Sequence, residues 1–262
     1  MRNLKDIKLF LLDMDGTIYL GDRLFDCTLP FLAKLEENAV EYLFLTNNSS
    51  KDKKDYLAKL SRLTIPGDEK HLITSGDVTI DYIKEHHANK KVFLVGTTAL
   101  KRAFMLAGIT ISDYNEADVA VVGFDLELTY EKLNGLYQMV NANKPYICTH
   151  PDMVCPTETG FIPDIGATIA YIEALTGRRP DRIMGKPFSD LADAAAERFG
   201  IAKEHIAMVG DRLYTDIEMG IKASITSILV LSGETTKEDL IESTVIPDYV
   251  FSDLSEITEI LS

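Results

Sequence analysis

Short apolar runs alternate with amphipathic stretches along almost the whole chain. Most of the runs are apolar at both alternating positions, which is typical of strands that are covered on both faces. Strands are predicted over residues 9–12, 42–46, 91–96, 117–123, 145–149, 205–210 and 224–231. Helices are predicted over residues 28–37, 50–63, 97–107, 129–141, 165–175, 189–199 and 216–222. The alternation predicts an α/β fold in which right-handed crossovers place helices on either side of a parallel sheet.

Two breaks interrupt this pattern. One lies at Ser75-Gly76, just before a helical stretch, and the other is the polar, turn-rich segment 176–180. The residues between the two breaks contain strands and helices of their own. The sequence therefore predicts a second α/β domain that is inserted into the first.

The charge of the chain limits the partners it can have. The 262 residues include 27 Lys or Arg and 41 Asp or Glu, so the formal net charge is -14. Such an acidic chain repels nucleic-acid backbones and anionic membrane surfaces. We therefore expect neither a nucleic-acid polymer nor a membrane as a partner. A phosphate-binding enzyme of this charge would need a metal ion or a few specific donors as its source of local positive charge.

The cysteines and the N-terminal residues bear on the compartment. Cys27, Cys148 and Cys155 are odd in number and irregularly spaced, which argues against a disulfide framework. The first twelve residues carry mixed charge and only a short apolar run, unlike a signal peptide. No apolar stretch approaches the roughly 20 residues of a membrane span. These features predict a cytoplasmic protein.

Two acids follow the first predicted strand directly, in the sequence Asp13-Met14-Asp15-Gly16-Thr17. Ligands of open parallel sheets bind at the carboxyl ends of the strands. Asp13 and Asp15 are two positions apart and would share one face of a continued strand, and a turn at Gly16 would place both at the end of the strand, where one site can use them. The pair suits Mg²⁺, or one acid could attack phosphorus while the other moves a proton. A helix cap or turn with incidental acids is the alternative.

A hydroxyl and an amide follow the second predicted strand. Thr46 and Asn47 lie just before a helical stretch, where such donors together with the helix N-terminus can hold a phosphate. The alternative is an ordinary helix cap within residues 48–50. Both interpretations can hold at once, because one residue can cap the helix while its neighbours bind the ligand.

A lysine follows the short apolar run 183–184, and a second acid pair follows the predicted strand 205–210. Lys186 lies between a glycine and a proline, and it could neutralise a phosphate or a carboxylate as a point charge. An exposed loop lysine is the alternative. Asp211 could complete a metal site, and Asp216 could orient Lys186 or a metal-bound water. For this pair, the alternative is a capped turn.

These four elements occur in an order that resembles the haloacid dehalogenase-like superfamily of phosphotransferases. The resemblance covers essentially the whole chain and includes the patterns DxDGT at 13–17 and GDxxxTD at 210–216. Five further segments are similar to the para-nitrophenyl-phosphatase or NagD-like branch: LTNN at 45–48, TSG at 74–76, GFD at 123–125, TGR at 176–178 and GKP at 185–187. The resemblance implies a doubly wound, Rossmann-like core over 1–78 and 181–262 and an inserted α/β cap over 79–180.

The resemblance also implies roles for single residues. Asp13 would be the nucleophile and a ligand of Mg²⁺, and Asp211 a further ligand. Asp15 would bind the metal through its backbone carbonyl, while its carboxyl acts as general acid for the leaving alcohol and then as base for the attacking water. The residues implied to hold the phosphoryl group are Thr46, Asn47 and Lys186.

The implied function is Mg²⁺-dependent hydrolysis of a small phosphomonoester, such as a nucleotide or a sugar phosphate, through an aspartyl-phosphate. The cap would close over the core and read the leaving group, with His150 as a candidate contact, although a lone histidine is otherwise structural. Asp164 precedes a helix and is expected to cap it. Caps in this branch sometimes dimerise, so a homodimer is among the implied assemblies.

Three other functions use related features. A phosphomutase or phosphotransferase on the same fold would pass the phosphate to a second acceptor, and only product analysis distinguishes it. A receiver domain also surrounds a phosphorylated aspartate with acids, a threonine and a lysine, but it needs neither Asp15 nor a long insertion. A non-catalytic binding module is disfavoured because all four motifs are intact.

Overall fold

The computed structural model describes residues 2–157 and 160–262. Its backbone contacts divide the chain into two compact units. The first unit comprises Met1–Thr46, Leu57–Ile73 and Lys186–Ser262, and the second comprises Asn47–Tyr56 and Thr74–Gly185. Within the described ranges, no helix has both the length and the apolar composition needed to cross a bilayer.

The strands and α-helices are numbered along the chain. The strands are β1 (Leu9–Asp13), β2 (Tyr19–Leu20), β3 (Arg23–Leu24), β4 (Glu41–Thr46), β5 (Leu72–Thr74), β6 (Val92–Val95), β7 (Val119–Val122), β8 (Tyr146–Cys148), β9 (Val154–Thr157), β10 (Gly160–Pro163), β11 (Arg182–Ile183), β12 (Ile206–Gly210), β13 (Thr226–Val230) and β14 (Tyr249–Phe251). The helices are α1 (Thr28–Glu37), α2 (Lys53–Arg62), α3 (Ser75–His86), α4 (Thr98–Leu106), α5 (Tyr130–Asn141), α6 (Ile165–Thr176), α7 (Asp190–Phe199), α8 (Glu218–Ala223), α9 (Lys237–Glu242) and α10 (Leu254–Leu261).

A six-stranded sheet in the order β14-β13-β12-β1-β4-β5 forms the centre of the first unit. β1 pairs in parallel with both β4 and β12, and β13 pairs in parallel with β12 and β14. The strands that follow β1 along the chain lie first on one side of it and later on the other. This is the doubly wound arrangement that the family resemblance implied, and its parallel strands are those that the alternating pattern predicted.

The apolar runs explain why these segments form the middle of the sheet. Leu9, Phe10, Leu11 and Leu12 are all fully buried, so both faces of β1 are covered. Each such side chain contributes about 1.5–3 kcal/mol when it leaves water. Helices flank the sheet, and α10 packs against α1 at one of its faces. A strand that is buried on both faces cannot alternate polar and apolar residues, which is why its sequence is uniformly apolar.

The second unit has its own four-stranded sheet in the order β11-β8-β7-β6, in which all the pairs are parallel. Its core contains residues of α5 and α6, among them Leu136 and Ile172, which pack with β7 residues such as Ala120. The antiparallel pair β9 and β10 forms a separate two-stranded sheet. This unit is therefore an α/β structure in its own right.

The domain limits predicted from the sequence stay predictions, and the structure adds two details to them. Contacts group the short segment Asn47–Tyr56 with Thr74–Gly185. In β11, Ile183 pairs with Cys148 of β8, so this strand continues the second sheet beyond residue 180. A strand of two residues is too short to show any periodicity, which is why the sequence pattern did not reveal it.

Candidate active site

The polar residues that follow three neighbouring strands of the first unit lie at one edge of its sheet. Asp13 ends β1 and is in register with Leu45 of β4. Leu12 is in register with Val209 of β12. Thr46, the last residue of β4, and Asp211, which follows β12, therefore lie at the carboxyl ends of the two strands beside β1. Sheet topology alone brings the three polar segments together.

The chain turns sharply after Asp13, and Gly16 makes this turn possible. Its φ of 93° is in the left-handed region that favours glycine. A Cβ atom at this position would also lie 2.3 Å from Oδ2 of Asp211. Gly16 thus provides both the backbone conformation of the turn and the space in which Asp211 lies.

Lys186 is the cation of this site. Its Nζ contacts Oδ1 of Asp13 and donates to Oδ1 of Asp216 at 2.6 Å. The lysine side chain is only 4% exposed. This burial excludes the exposed loop lysine that was the alternative for this position, because a buried ammonium between two carboxylates is held in place by them.

Asp13, Asp211 and Asp216 form an acidic cluster, with one carboxylate oxygen from each within 4.8 Å of the others. Asp211 accepts a hydrogen bond from the backbone N–H of Glu234 through Oδ2 at 2.7 Å. Asp216 accepts one from the backbone N–H of Arg212 through Oδ2 at 3.1 Å. Oδ1 of Asp211 is buried and has no hydrogen-bond partner among the described residues.

The pKa values show how strongly these charges interact. Burial raises the pKa of Asp13 to about 6, although Lys186 opposes the rise. Burial, together with the nearby Asp13 and Asp216, raises the pKa of Asp211 to about 8. Burial lowers the pKa of Lys186, but the attraction of the two carboxylates outweighs this effect and raises the pKa above its ordinary value. Lys186 therefore stays charged, and a further cation is favoured beside the acids.

The residues present fit a divalent metal ion. A buried carboxylate oxygen without a partner is costly unless a cation or a donor reaches it, and Asp211 Oδ1 is such an atom. Asp13 offers a second carboxylate beside it. Hard oxygen ligands of this kind are those that Mg²⁺ binds in proteins, usually through one or two carboxylates. The cluster is thus a candidate site for a divalent cation.

The carboxylate of Asp15 is oriented differently and is not part of the acidic cluster among the described residues. Its Oδ1 accepts a hydrogen bond from the backbone N–H of Gly21 at 3.1 Å, and its Oδ2 lies 3.7 Å from Nζ of Lys59. The side chain is 49% exposed. The predicted metal ligand of Asp15 is its backbone carbonyl, which does not depend on the direction of the carboxylate. Metal binding by this carbonyl and acid-base catalysis by the carboxyl both stay predictions.

Thr46 and Asn47 lie at the end of β4, where the predicted phosphate cradle begins. Thr46 is buried at the last position of the strand. Asn47 belongs to the second unit, where its Nδ2 donates to both carboxylate oxygens of Asp152, at 3.1 and 3.3 Å. Nearby, Oδ1 of Asn48 accepts a hydrogen bond of 3.0 Å from the backbone N–H of Ser50, ahead of α2, which begins at Lys53. The phosphate-binding roles of Thr46 and Asn47 stay predictions.

His150 is fully buried in the second unit. Its Nε2 lies 3.1 Å from Oδ1 of Asp164, and its Nδ1 lies 3.1 Å from the hydroxyl of Thr149. Asp164 caps the N-terminus of α6, since its Oδ1 accepts from the backbone N–H of Ile165 at 2.6 Å. Its predicted capping role is therefore seen directly. The predicted contact between His150 and a substrate stays a prediction.

Comparison with known proteins identifies the family. One family model, described as haloacid dehalogenase-like hydrolase, matches residues 10–110, and a second, described as HAD-hydrolase-like, matches residues 183–257. The acid sugar phosphatase of Staphylococcus epidermidis is 36% identical over 252 residues, which cover 96% of this chain and 97% of that protein. The chain belongs to the haloacid dehalogenase-like hydrolases.

Solved structures show the same relationship for this haloacid dehalogenase-like hydrolase. The 4-nitrophenylphosphatase of Thermotoga maritima has a TM-score of 0.96 at 44% identity, and 99% of each chain is covered. A structure provisionally described as a nagD protein has a TM-score of 0.92 at 42% identity, with coverage of 97% of this chain and 98% of that one. The family and branch expected from the motifs are confirmed. The chain is a hydrolase of phosphoric monoesters with an α/β fold.

A loop that received no role from the sequence closes one side of the acidic cluster of this hydrolase. This loop, residues 232–235, follows β13 at the same edge of the sheet. Besides the bond from Glu234 to Asp211, the backbone N–H of Thr235 donates to the carbonyl of Asp211 at 3.2 Å. Ser232 Oγ donates to the carbonyl of Gly16 at 2.7 Å. The polar residues after the predicted strand 224–231 were the signal, by the same reasoning that identified the other strand ends.

Arg212 is a second residue that the motif contained but to which no role was given. Its Nε lies 3.0 Å from Oε2 of Glu234, and Oε1 of Glu234 accepts from the hydroxyl of Tyr214 at 2.6 Å. Burial lowers the pKa of Arg212, but the negative charges of Asp13 and Asp211 raise it by more. The pKa of Arg212 therefore lies above its ordinary value. Arg212 thus adds positive charge near the acids, held in place by Glu234.

Proposed function

We propose that this chain is a Mg²⁺-dependent phosphatase that hydrolyses a small phosphomonoester through an aspartyl-phosphate formed on Asp13. The observation that carries the proposal is the position of Lys186, whose Nζ lies between Asp13 and Asp216. An anionic nucleophile that must approach an anionic phosphate needs such a cation beside it, because phosphoryl transfer depends mainly on positioning and charge stabilisation. The nearby Asp211, with its buried Oδ1, supports a second positive charge at the same place.

The reaction has two steps in this proposal. A carboxylate oxygen of Asp13 attacks phosphorus, the bond between phosphorus and the ester oxygen breaks, and the carboxyl of Asp15 gives its proton to the leaving alcohol. Water then attacks the phosphorus of the aspartyl-phosphate and loses a proton to Asp15, while the bond between phosphorus and Asp13 breaks. Inorganic phosphate leaves, and both acids return to their starting protonation states.

The other residues bind and orient. Lys186 offsets the charge of Asp13 and of the phosphoryl oxygens, and Asp216 holds Lys186 in place. Thr46 and Asn47 would donate hydrogen bonds to the phosphoryl oxygens. Asp13, Asp211 and the backbone carbonyl of Asp15 would hold Mg²⁺. When bound, the ion would supply positive charge that reduces the repulsion between the carboxylate and the phosphate.

The proposed substrate class is the sugar phosphates, with para-nitrophenyl phosphate as an artificial substrate. The support for this choice is the identity of 36% with an acid sugar phosphatase and of 44% with a 4-nitrophenylphosphatase, each over nearly the full length of both chains. Both of these relatives release phosphate from an ester of a small leaving group. A small metabolite is also consistent with the net charge of -14, which disfavours polyanionic substrates.

The test is a phosphate-release assay with a panel of phosphorylated acid sugars, neutral sugars and nucleoside monophosphates. We expect saturable release of phosphate in the presence of Mg²⁺, no release in excess chelator, and restoration when Mg²⁺ is added back. The Asp13→Asn variant should release no phosphate and should keep the melting temperature of a folded protein. Wild-type rates in that variant would remove Asp13 from the mechanism, and undiminished hydrolysis in chelator would remove the metal.

A further inference from the structure

The carboxylate of Asp15 is held by two groups of the first unit, one at each oxygen. The backbone N–H of Gly21 donates to Oδ1 at 3.1 Å, and the ammonium of Lys59 lies 3.7 Å from Oδ2. Gly21 follows β2, and Lys59 lies on α2, so the two groups come from different elements. A carboxylate whose two oxygens are engaged by separate elements has little freedom to rotate.

Lys59 is itself fixed in place. Its Nζ lies over the ring of Tyr19, 3.7 Å from the ring centroid, and its side chain is only 13% exposed. Tyr19 is fully buried, so the ring cannot move away from the lysine without disturbing the core. A cation held against an aromatic face is attracted to the ring, and the attraction is stronger when the cation is shielded from water. The ammonium group is therefore a rigid anchor beside Asp15 rather than a mobile surface charge.

We infer that Lys59 is a positioning residue for the carboxyl of Asp15 during proton transfer to the leaving group. This inference rests on the proposed function, in which Asp15 protonates the leaving alcohol. Proton transfer requires hydrogen-bond distance and a suitable direction at the reacting oxygen. By attracting Oδ2 while Gly21 holds Oδ1, Lys59 fixes the plane of the carboxyl group. Without the ammonium, Asp15 can rotate about its side-chain bonds and protonates the leaving oxygen less often.

The rate that is lost when Lys59 is removed should depend on the leaving group. As the bond between phosphorus and the ester oxygen breaks, negative charge develops on that oxygen. A para-nitrophenolate ion stabilises this charge itself, so its departure needs little help from Asp15. A phenol without electron-withdrawing groups needs the proton much more. A positioning residue for Asp15 should therefore matter more as the leaving group becomes poorer.

The experiment measures kcat/KM for a series of substituted phenyl phosphates, because this ratio reports the first phosphoryl transfer and not the later attack of water. For Lys59→Met we expect little loss with para-nitrophenyl phosphate and a loss of up to about 10²-fold with the poorest leaving group, the size of effect that a small misplacement causes. Lys59→Arg, which keeps the positive charge, should restore most of the lost rate. Lys54→Met is the matched control, because Lys54 lies exposed on the same helix.

The Asp15→Asn variant distinguishes a failure of the role of Lys59 from a failure of the proposed function. A steep dependence on the leaving group in Asp15→Asn, together with an equal loss for all substrates in Lys59→Met, would overturn the role of Lys59 and leave the proposed function intact. A dependence in Asp15→Asn that matches the wild type would overturn the role of Asp15 itself. If Lys59 acts through Asp15, combining the two substitutions should cost no more than Asp15→Asn alone. Lys59→Gln provides the same comparison if Lys59→Met does not fold.

Discussion

Lys186 combines two properties that rarely occur together in a lysine, since it is buried and yet strongly charged. It lies between Asp13 and Asp216, and its side chain is almost inaccessible to water. Such a group adds little net stability while it is paired, because the loss of hydration offsets much of the attraction. Removing it leaves two carboxylates in a buried place without their cation. The residue is thus needed for both chemistry and folding, and a single substitution tests both.

We predict that Lys186→Met lowers turnover by at least about 10²-fold, the typical effect of removing one preorganised charge-stabilising group. The free energy of unfolding should fall by about 3–5 kcal/mol, because a buried ion pair loses one partner. Urea denaturation and phosphate release measure the two effects. Lys222→Met is the control, since Lys222 forms an exposed pair with Glu218 that is worth at most about 1 kcal/mol. An active, fully stable Lys186→Met variant would contradict the assigned role.

Gly233 has no side chain, and this leaves the room that the carboxylate of Asp211 occupies. A Cβ atom at residue 233 would lie 2.0 Å from Oδ2 of Asp211. We therefore predict that Gly233→Ala displaces this carboxylate and weakens Mg²⁺ binding, measured as an increase in the Mg²⁺ concentration needed for half-maximal activity. Gly67→Ala is a suitable control, because a Cβ there would meet its nearest neighbour, Phe44, at an ordinary 3.5 Å. Equal Mg²⁺ dependence in the two variants would show that the loop can move to accommodate the methyl group.

The start of α6 combines helix capping with a buried contact to a histidine. Asp164 accepts the backbone N–H of Ile165, and the same oxygen lies 3.1 Å from Nε2 of His150. The start of α5 has a simpler cap, in which Thr129 accepts the backbone N–H of Lys132 at 3.3 Å. The two helices belong to the same unit, so their caps can be compared directly.

We predict that Asp164→Ala destabilises the protein more than Thr129→Ala does. Loss of a cap costs about 0.5–2 kcal/mol at either helix. Asp164→Ala also removes one hydrogen-bond partner from the fully buried His150, and the loss of such a bond costs about 0.5–1.5 kcal/mol more. Thermal or urea unfolding of the two variants gives the difference. Equal losses would mean that His150 gains nothing from Asp164.

The elements that the sequence pattern predicted share a physical property. β1, β4, β7, β12 and β13 are buried on both faces along most of their length, and burial of this kind requires uniformly apolar residues that are visible in the sequence. The short elements that were not predicted are β2, β3, β5, β9, β10, β11, β14, α9 and α10. Strands of two to four residues show at most one repeat of the alternation, so whether they form depends on a partner that lies elsewhere in the chain.

The charge of the whole chain makes the role of a metal ion testable through stability. With a net charge of -14 and a cluster of two buried carboxylates and one half-buried carboxylate, the folded protein should bind a divalent cation more tightly than the unfolded chain does. A ligand that binds only the folded state adds about 2.7 kcal/mol of stability when its concentration is 100 times the dissociation constant.

We therefore predict that Mg²⁺ raises the melting temperature of the wild-type protein and that chelation lowers it again. In Asp211→Asn the rise should be much smaller, because the variant loses one of the two proposed carboxylate ligands. Differential scanning calorimetry at several Mg²⁺ concentrations makes the measurement without any substrate. A similar rise in both proteins would place the bound ion away from Asp211.

Much of the fold and part of the site could be predicted from residue order alone. Buried parallel strands require apolar runs, and the carboxyl ends of such strands meet at one edge, so Asp13, Asp211 and Asp216 were expected together. In the first unit this follows from the pairing of β1 with β12. Lys186 follows β11, which belongs to the other sheet, so its place beside these acids was implied by the resemblance and not by the strand ends. The order of the strands in the sheet, however, is set by long-range pairing that no local pattern records.

The directions of the side chains depended on folding. Local sequence could not show that the Asp15 carboxylate turns towards Lys59, that Glu234 reaches Asp211 from a loop more than twenty residues later, or that His150 is fully buried. Each of these contacts joins segments that are far apart in the chain. Periodicity and propensity act over a few neighbouring residues, whereas such contacts form only after the strands have paired and the loops between them have closed.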